Sequence, residues 1–319
     1  MLREAGQARH YPGLRIHHDT TESSIRLDCA AATRATITKI ADNTGKPFPV
    51  KRGDKNMTPL HQKYVMEQPE HDKPIQEALK LIYMSELGSL QYLAGQCRPD
   101  IAYATSLLAR VMHNPDKLHQ AALRSVAAHL HATPDWGIRY TAREHEYNLG
   151  MGNILRIPAN TLFAWCDSNF SGKEGFGGGT RKSTTGYFLM FNGAPISWRS
   201  VLQSVTALSS TEAEYMSLSL VATEILYVQR LLASMGMAQT RPTLLLCDNE
   251  AAILLANEPK HTEATRHIAT RYHFIANCVV AKELVIKHTD GNFNLADLQT
   301  KITSQPTFTC LTDRFIDKQ

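Results

Sequence analysis

The sequence lacks the features that mark several classes of protein. None of its six cysteines form a Cys-x-x-Cys pair, so their spacing gives no zinc or disulfide framework, and we expect reduced, mostly buried thiols. No apolar run approaches the length of a membrane span, and Met1 is followed by polar and charged residues rather than by a signal peptide. We therefore expect a cytoplasmic or nuclear location and no membrane partner.

The sequence also lacks a large net charge. The formal net charge is +4, which does not by itself indicate a nucleic-acid-binding protein. With 43% hydrophobic and 20% charged residues, the composition is that of a globular protein, and 319 residues are enough for two ordinary domains.

Two different patterns follow each other along the chain. Segments within 75–131 repeat apolar residues at helical spacing, whereas residues 161–301 predict three strands, a helix, a strand, helices, a strand and a short last helix. The apolar run TLLLC at 243–247 is typical of a strand buried on both faces of a parallel sheet. The later part therefore predicts an α/β fold.

The stretch SSTEAEY at 209–215 contains two glutamates that a helix would direct about 200° apart. Ser209 suits an N-cap, and Glu212 completes a capping box by reaching back to the Ser209 backbone N–H. Glu214 instead heads an apolar stripe that faces the sheet, where an acid is costly unless it serves a metal or a catalytic site. The helix pattern thus favours Glu214 as the functional residue.

Three further acids lie where strands end or a helix begins. Asp167 and Asp248 follow apolar strand residues, although Asp248 alone could simply mark a turn after its strand. Asp297 falls in the first turn of the last predicted helix, where the helix dipole favours an acid regardless of function. If the four acids converge, they suit two Mg²⁺ ions about 4 Å apart and in-line phosphodiester hydrolysis.

Residues 58–301 resemble the C-terminal part of the Pol polyprotein of copia-type LTR retrotransposons. The motifs that carry the resemblance occur in the same order and spacing, and they are GSLQYLAGQCRPDIAYATSLLARVMHNPDKLHQAALRSVAAHLHATPDWGIRY (88–140), WCDSNFSG (165–172), RKSTTGYFLMFNGAPISW (181–198), ALSSTEAEYMSLS (207–219), LLCDNEAAILLA (245–256), RHIATRYHFI (266–275) and NLADLQTK (294–301).

The resemblance implies a ribonuclease H-like domain, a five-stranded mixed sheet flanked by helices, preceded by a small and mainly helical connection region. The expected divisions are a remnant of the reverse transcriptase palm at 1–60, the connection region at 61–140, a linker at 141–160, the ribonuclease H-like domain at 161–301 and a tail at 302–319.

The resemblance also implies the function and the site. It places the metal-binding, catalytic acids at Asp167, Glu214, Asp248 and Asp297, with two Mg²⁺ ions for which Mn²⁺ can substitute. The implied reaction is endonucleolytic hydrolysis of the RNA strand of an RNA–DNA hybrid. In some ribonucleases H a histidine near the fourth acid assists product release or proton transfer. His267 is the candidate here, and a structural hydrogen bond is the competing interpretation.

Outside the four acids, residues 161–301 carry more basic than acidic side chains, which is compatible with a surface that follows phosphates. Each basic residue could equally be an ordinary solvated charge. The candidates for contacts to nucleic acid are Arg181, Lys182, Arg199, Arg266 and Arg271.

The chain departs from the family pattern in two motifs, and one signature is missing. Phe170-Ser171-Gly172 replaces the usual Trp-Ala-Gly, and Ala269 replaces an Asp. The chain has no Asp-Asp dipeptide, so the Tyr-x-Asp-Asp signature of the reverse transcriptase palm is absent, and we expect no polymerase activity.

Three hypotheses are open. The first is the ribonuclease H domain of a truncated Pol protein, with a polymerase domain in trans as a further partner. The alternative is a silent or co-opted copy that binds nucleic acid or a protein without cleavage. The third makes 75–140 a structural helical module that docks a separate polymerase.

Overall fold

The computed structural model describes residues 9–49, 51, 58–61, 77–170, 181–257 and 269–318. The described residues divide into two compact units. The first unit comprises those of Met1–Thr141 and Ile302–Gln319, and the second comprises those of Ala142–Lys173 and Gly179–Lys301.

The first unit combines an antiparallel sheet with helices. Its strands, in sheet order, are β1 (His10–Tyr11), β2 (Leu14–Asp19), β3 (Ser24–Asp28), β4 (Gly137–Thr141) and β12 (Ile316–Asp317). Its helices are α1 (Ala30–Thr44), α2 (Glu77–Gln96), α3 (Ala102–Ala109), α4 (Lys117–Ala132) and α8 (Gln305–Thr312). The segment expected to be a tail therefore forms a helix and a strand, because Ile316 pairs with Ile138 of β4.

The second unit contains the mixed sheet. Its elements are β5 (His145–Asn148), β6 (Ile154–Ile157), β7 (Phe163–Asn169), β8 (Thr184–Phe191), β9 (Ala194–Leu202), α5 (Ser210–Ser234), β10 (Thr243–Cys247), α6 (Glu250–Asn257), α7 (Ala269–Val280) and β11 (Leu284–His288). The five-stranded sheet has the order β11-β10-β7-β8-β9. Strands β7, β10 and β11 run parallel, and β8 is antiparallel to both of its neighbours. The predicted five-stranded mixed sheet and α/β class are confirmed.

Strand β7 is central and covered on both faces. Phe163 and Trp165 pack with Tyr147 of β5 on one face. Ala164 and Cys166 alternate with them and join the core on the face covered by α5. Residues 145–157, expected to be part of a linker, form the antiparallel hairpin β5–β6 that supplies Tyr147.

Helix α5 buries the stripe predicted from its sequence: Leu218, Val221, Ile225, Val228 and Leu232 all lie in the core. Within the described residues it is also the one helix long and apolar enough to cross a membrane, judged by length and composition alone. Half of its most apolar window is buried inside the protein, which is the behaviour of a core helix.

The expectation that all cysteines are reduced is wrong for one pair. Cys29 and Cys97 form a disulfide in the first unit, with their Cα atoms 6.4 Å apart, within the usual range for such a bond. They are separated by 68 positions in the sequence, so local spacing gave no sign of it. Cys166, Cys247 and Cys278 are buried free thiols.

Candidate metal centre

The four predicted acids meet at one edge of the five-stranded sheet. Asp167 lies near the end of β7 and Asp248 directly follows β10, and because these strands are parallel neighbours, their ends share one edge. The possible metal-ligand oxygens of Asp167, Asp248 and Asp297 lie within 4.8 Å of one another. Atoms of Glu214, Cys247 and Asp248 form a second such group. Asp248 belongs to both groups and joins them.

Glu214 occupies the position predicted for it. Its side chain is buried at the head of the apolar stripe of α5. Its Oε1 accepts a hydrogen bond from the Ser168 backbone N–H at 3.1 Å, and the Cys247 thiol lies 3.8 Å from Oε2. The first turn of α5 is thereby fastened to the ends of β7 and β10.

Glu212 has a structural role, but one predicted contact is wrong. The Ser209 hydroxyl accepts a hydrogen bond from the Glu212 N–H at 3.1 Å, as expected of an N-cap. The Glu212 carboxylate accepts from the Leu208 N–H at 2.6 Å rather than from that of Ser209. Ser209 has the extended backbone usual for an N-cap, with φ −147° and ψ 164°, and the carboxylate reaches one residue further back along it.

Asp297 lies in the first turn of the short last helix expected from the sequence, which is a 3₁₀ turn, Leu295–Gln299. Asn294 caps this turn by accepting from the Ala296 N–H at 3.1 Å and also donates to the Cys166 carbonyl at 2.9 Å. The Thr300 hydroxyl donates to Oδ2 of Asp167. The turn is therefore bound to β7 on both sides of Asp297, which is enough to hold a short 3₁₀ segment.

A glycine missed by sequence reasoning makes room for this turn. Gly186 of β8 pairs directly with Asp167. A Cβ atom at position 186 would lie 2.6 Å from Cβ of Gln299 and 2.6 Å from Cγ2 of Thr300. The available signal was a glycine inside a strand, which often marks a close approach by another part of the chain.

Lys301 was also missed, although it lies four residues after Asp297. Its Nζ is 2.8 Å from Oδ1 of Asp297 and 3.4 Å from Oδ2 of Asp167. Burial would lower the pKa of Lys301, but the charges of Asp167 and Asp297 raise it overall. The ammonium group is thus charged and neutralises part of the acidic cluster. The Asp-x-x-x-Lys spacing was the signal that could have found it.

The negative charge of the acids that Lys301 does not neutralise is unfavourable. Burial, followed by the charge of Asp167, raises the pKa of Asp297 to about 7. The same two causes raise the pKa values of Glu214 and Asp248. Four carboxylates with one lysine leave a buried excess of negative charge, which a divalent cation would relieve. Their donor set consists of the oxygen ligands that Mg²⁺ prefers, so the residues fit the predicted metal.

The other predicted residues lie elsewhere or outside the described residues. Arg199 is exposed on β9 and lines a cavity of about 370 Å³ with Thr185 and Glu224. Arg181 is exposed and Lys182 half-buried, directly before β8. Arg271 belongs to α7, but its side chain is outside the described part, and so are Arg266 and His267 altogether.

The chain is similar in sequence to Pol polyproteins of plant transposons. It is 37% identical over 227 residues to the retrovirus-related Pol polyprotein from transposon RE1 of Arabidopsis thaliana, which covers 71% of this chain and 14% of that polyprotein. It is 28% identical over 310 residues to the one from transposon TNT 1-94 of Nicotiana tabacum, which covers 96% of this chain and 21% of that polyprotein. The chain therefore spans less than a quarter of the length of these curated relatives.

No protein-family model matches the chain. Among solved structures, LC11-RNase H1, isolated from compost, aligns with a TM-score of 0.34 and 16% identity, over 44% of this chain and 93% of that chain. Its structure in complex with an RNA/DNA hybrid aligns with a TM-score of 0.33 and 14% identity, over 44% of this chain and 94% of that chain.

Proposed function

Because this chain belongs to the retrovirus-related Pol polyproteins of copia-type transposons, we propose that its second unit hydrolyses the RNA strand of RNA–DNA hybrids. The reaction is endonucleolytic and depends on Mg²⁺. The proposal concerns this unit only, since the polyproteins are several times longer than the chain.

One observation carries the proposal. Carboxylates from four separate elements, namely β7, α5, the end of β10 and the 295–299 turn, meet around Asp248. Gathering buried like charges costs free energy, and the usual reason for such an arrangement is metal or catalytic chemistry. A purely structural role would not need four acids in one place.

The four acids would hold two neighbouring metal ions. Asp167, Asp248 and Asp297 would hold one part of a two-ion centre, and Glu214 with Asp248 the other. When bound, Mg²⁺ supplies Lewis-acid stabilisation of the attacking and leaving oxygens. Thr300 and Ser168 orient the carboxylates of Asp167 and Glu214 by donating hydrogen bonds to them.

Substrate binding draws on basic groups of the same unit. We assign phosphate contacts to Arg181, Lys182 and Arg199, whose side chains are wholly or partly exposed around β8 and β9. Arg266 and Arg271 remain candidates from the sequence, and His267 remains a candidate for product release or proton transfer.

The test is hybrid cleavage by the purified full chain. A labelled RNA–DNA hybrid is incubated with Mg²⁺ and the wild type, beside Asp248→Asn and the matched carboxylate-to-amide control Glu212→Gln. We expect the wild type and Glu212→Gln to release RNA fragments with 3′-hydroxyl and 5′-phosphate ends, and Asp248→Asn to release none. If the wild type binds the hybrid with Mg²⁺ present but does not cut it, the silent-copy hypothesis replaces this one.

A further inference from the structure

Two thiols lie beside the acids, and the proposed hydrolysis uses neither. Trp165 of β7 pairs with Leu246 of β10 in parallel register, so the next residues along the two strands, Cys166 and Cys247, are neighbours. Both are fully buried in the same core cluster. The two strands that end in the acids Asp167 and Asp248 thus each place a cysteine directly before the acid.

Cys247 is close enough to the acids to share an ion with them. Its Sγ is 3.8 Å from Oε2 of Glu214, and atoms of Glu214, Cys247 and Asp248 all lie within 4.8 Å of one another. Zinc bonds to sulfur and oxygen are about 2.3 and 2.1 Å long, so two ligand atoms in a tetrahedral site are about 3.6 Å apart. The Cys247–Glu214 pair is close to this separation, and an oxygen of Asp248 lies within 4.8 Å of both.

We infer that Cys247, Glu214 and Asp248 form a site for a thiophilic divalent cation such as Zn²⁺ or Cd²⁺. Thiolate ligands select such ions over Mg²⁺, which prefers oxygen. The Cys247 thiol forms a sulfur–metal bond and releases its proton to solvent. Two carboxylates and one sulfur atom then surround one cation, so the same edge of the sheet holds either a hard or a soft ion.

The effect of such an ion on hybrid cleavage rests on the proposed function. The soft ion takes Glu214 and Asp248, which the hydrolysis needs for Mg²⁺. We therefore expect Zn²⁺ or Cd²⁺ to inhibit hybrid cleavage even when Mg²⁺ is in large excess.

Binding is tested first, without any nuclease assay. The metal-free full chain is titrated with Cd²⁺, and the ultraviolet absorption from thiolate-to-cadmium charge transfer is followed. We expect Cys247→Ser to weaken binding roughly tenfold or more and to reduce the absorption at saturation. The matched control is Cys278→Ser, which makes the same change at a buried thiol of α7 outside the site. All three proteins share the remaining cysteines, so background binding cancels. Equal affinity and absorption in the wild type and Cys247→Ser would overturn the inference.

A second variant covers the case in which Cys247→Ser does not fold, as judged by circular dichroism. Glu214→Gln keeps the Cys247 thiol but loses a charged oxygen ligand. We expect its Cd²⁺ affinity to fall while the charge-transfer absorption at saturation stays the same. An unchanged affinity would remove Glu214 from the site and reject the proposed ligand set.

The binding and cleavage results separate the two proposals. Cd²⁺ binding lost in Cys247→Ser, in a protein that cuts no hybrid, supports the thiophilic site and counts against the nuclease. Hybrid cleavage that Cd²⁺ leaves unchanged, together with equal binding in wild type and variant, supports the nuclease and overturns the site.

Discussion

Gly186 on β8 lies directly opposite Asp167 on β7, and its missing side chain is the space that the 295–301 segment occupies. Contact of this segment with the sheet brings Asp297 and Lys301 to Asp167. The acidic centre therefore depends on a position that carries no functional group of its own.

We predict that Gly186→Ala disrupts the centre by displacing this segment. Overpacking of this kind costs about 1–3 kcal/mol of unfolding free energy. We expect weaker Mg²⁺ binding and hybrid cleavage well below that of the wild type, measured by calorimetry and by the hybrid assay. The control is Gly88→Ala in α2, where an added Cβ meets nothing within 4 Å. Wild-type Mg²⁺ affinity in Gly186→Ala would show that the 295–299 turn accommodates the added Cβ atom without moving.

Lys301 competes with metal ions for the same carboxylates. We predict that Lys301→Gln binds Mg²⁺ more tightly than the wild type, because a positive charge is removed from beside Asp167 and Asp297. The metal-free variant should melt at a lower temperature, since the repulsion among the acids is less compensated. Calorimetric titration and thermal unfolding in a chelator measure the two effects. Lys287→Gln, at an exposed position on β11, should change neither, and weaker Mg²⁺ binding by Lys301→Gln would contradict the prediction.

At the start of α5, Ser209 and Glu212 should contribute to stability, whereas Glu214 should contribute to catalysis. Ser209→Ala removes the cap of the helix and should cost about 1 kcal/mol of unfolding free energy, measured by urea denaturation. Glu212→Gln should cost less, because the amide oxygen can still accept from the Leu208 N–H. Both variants should cut the hybrid, whereas Glu214→Gln should not. Loss of cleavage in a well-folded Glu212→Gln variant would mean that the two glutamates were assigned the wrong roles.

The first unit contains a fully buried ionic cluster that should make its stability depend on pH. Asp100 accepts hydrogen bonds from Arg98 at 2.7 and 2.9 Å and contacts Nε2 of His129 at 2.8 Å. Burial alone would raise the pKa of Asp100, but the charge of Arg98 and these hydrogen bonds hold it well below its usual range. The stabilisation is therefore present above the unfolded pKa of about 4 and is lost as the pH falls below it.

We predict that Asp100→Asn removes this dependence. At pH 7 the variant should lose about 3–5 kcal/mol, because Arg98 stays buried without its charged partner. Below about pH 4 the wild type should lose stability steeply and the variant much less. Urea unfolding followed by tryptophan fluorescence, to which Trp136 beside Arg98 and His129 contributes, measures both. Asp42→Asn, an exposed position of α1, is the control, and parallel pH profiles for wild type and Asp100→Asn would refute the account.

Local sequence patterns determined most of the second unit. The apolar residues of β7 and β10 indicated their strands, and the stripe on α5 separated Glu214 from Glu212 before any relative was considered. Such patterns work because helices and strands repeat at fixed periods of about 3.6 and 2 residues. They also placed Asp167 and Asp248 at the ends of buried strands.

Only the tertiary structure decided which distant groups meet. The Cys29–Cys97 disulfide, the pairing of residues 316–317 with β4, and the contacts of Asn294 and Lys301 with β7 and its acid all join residues far apart in the chain. The periodicity of the sequence does not indicate these pairs, because each pair depends on how separate elements pack and on small spaces such as the one at Gly186. The sequence by itself determined which acids were available, and packing determined that they share one site with a lysine and the thiol of Cys247.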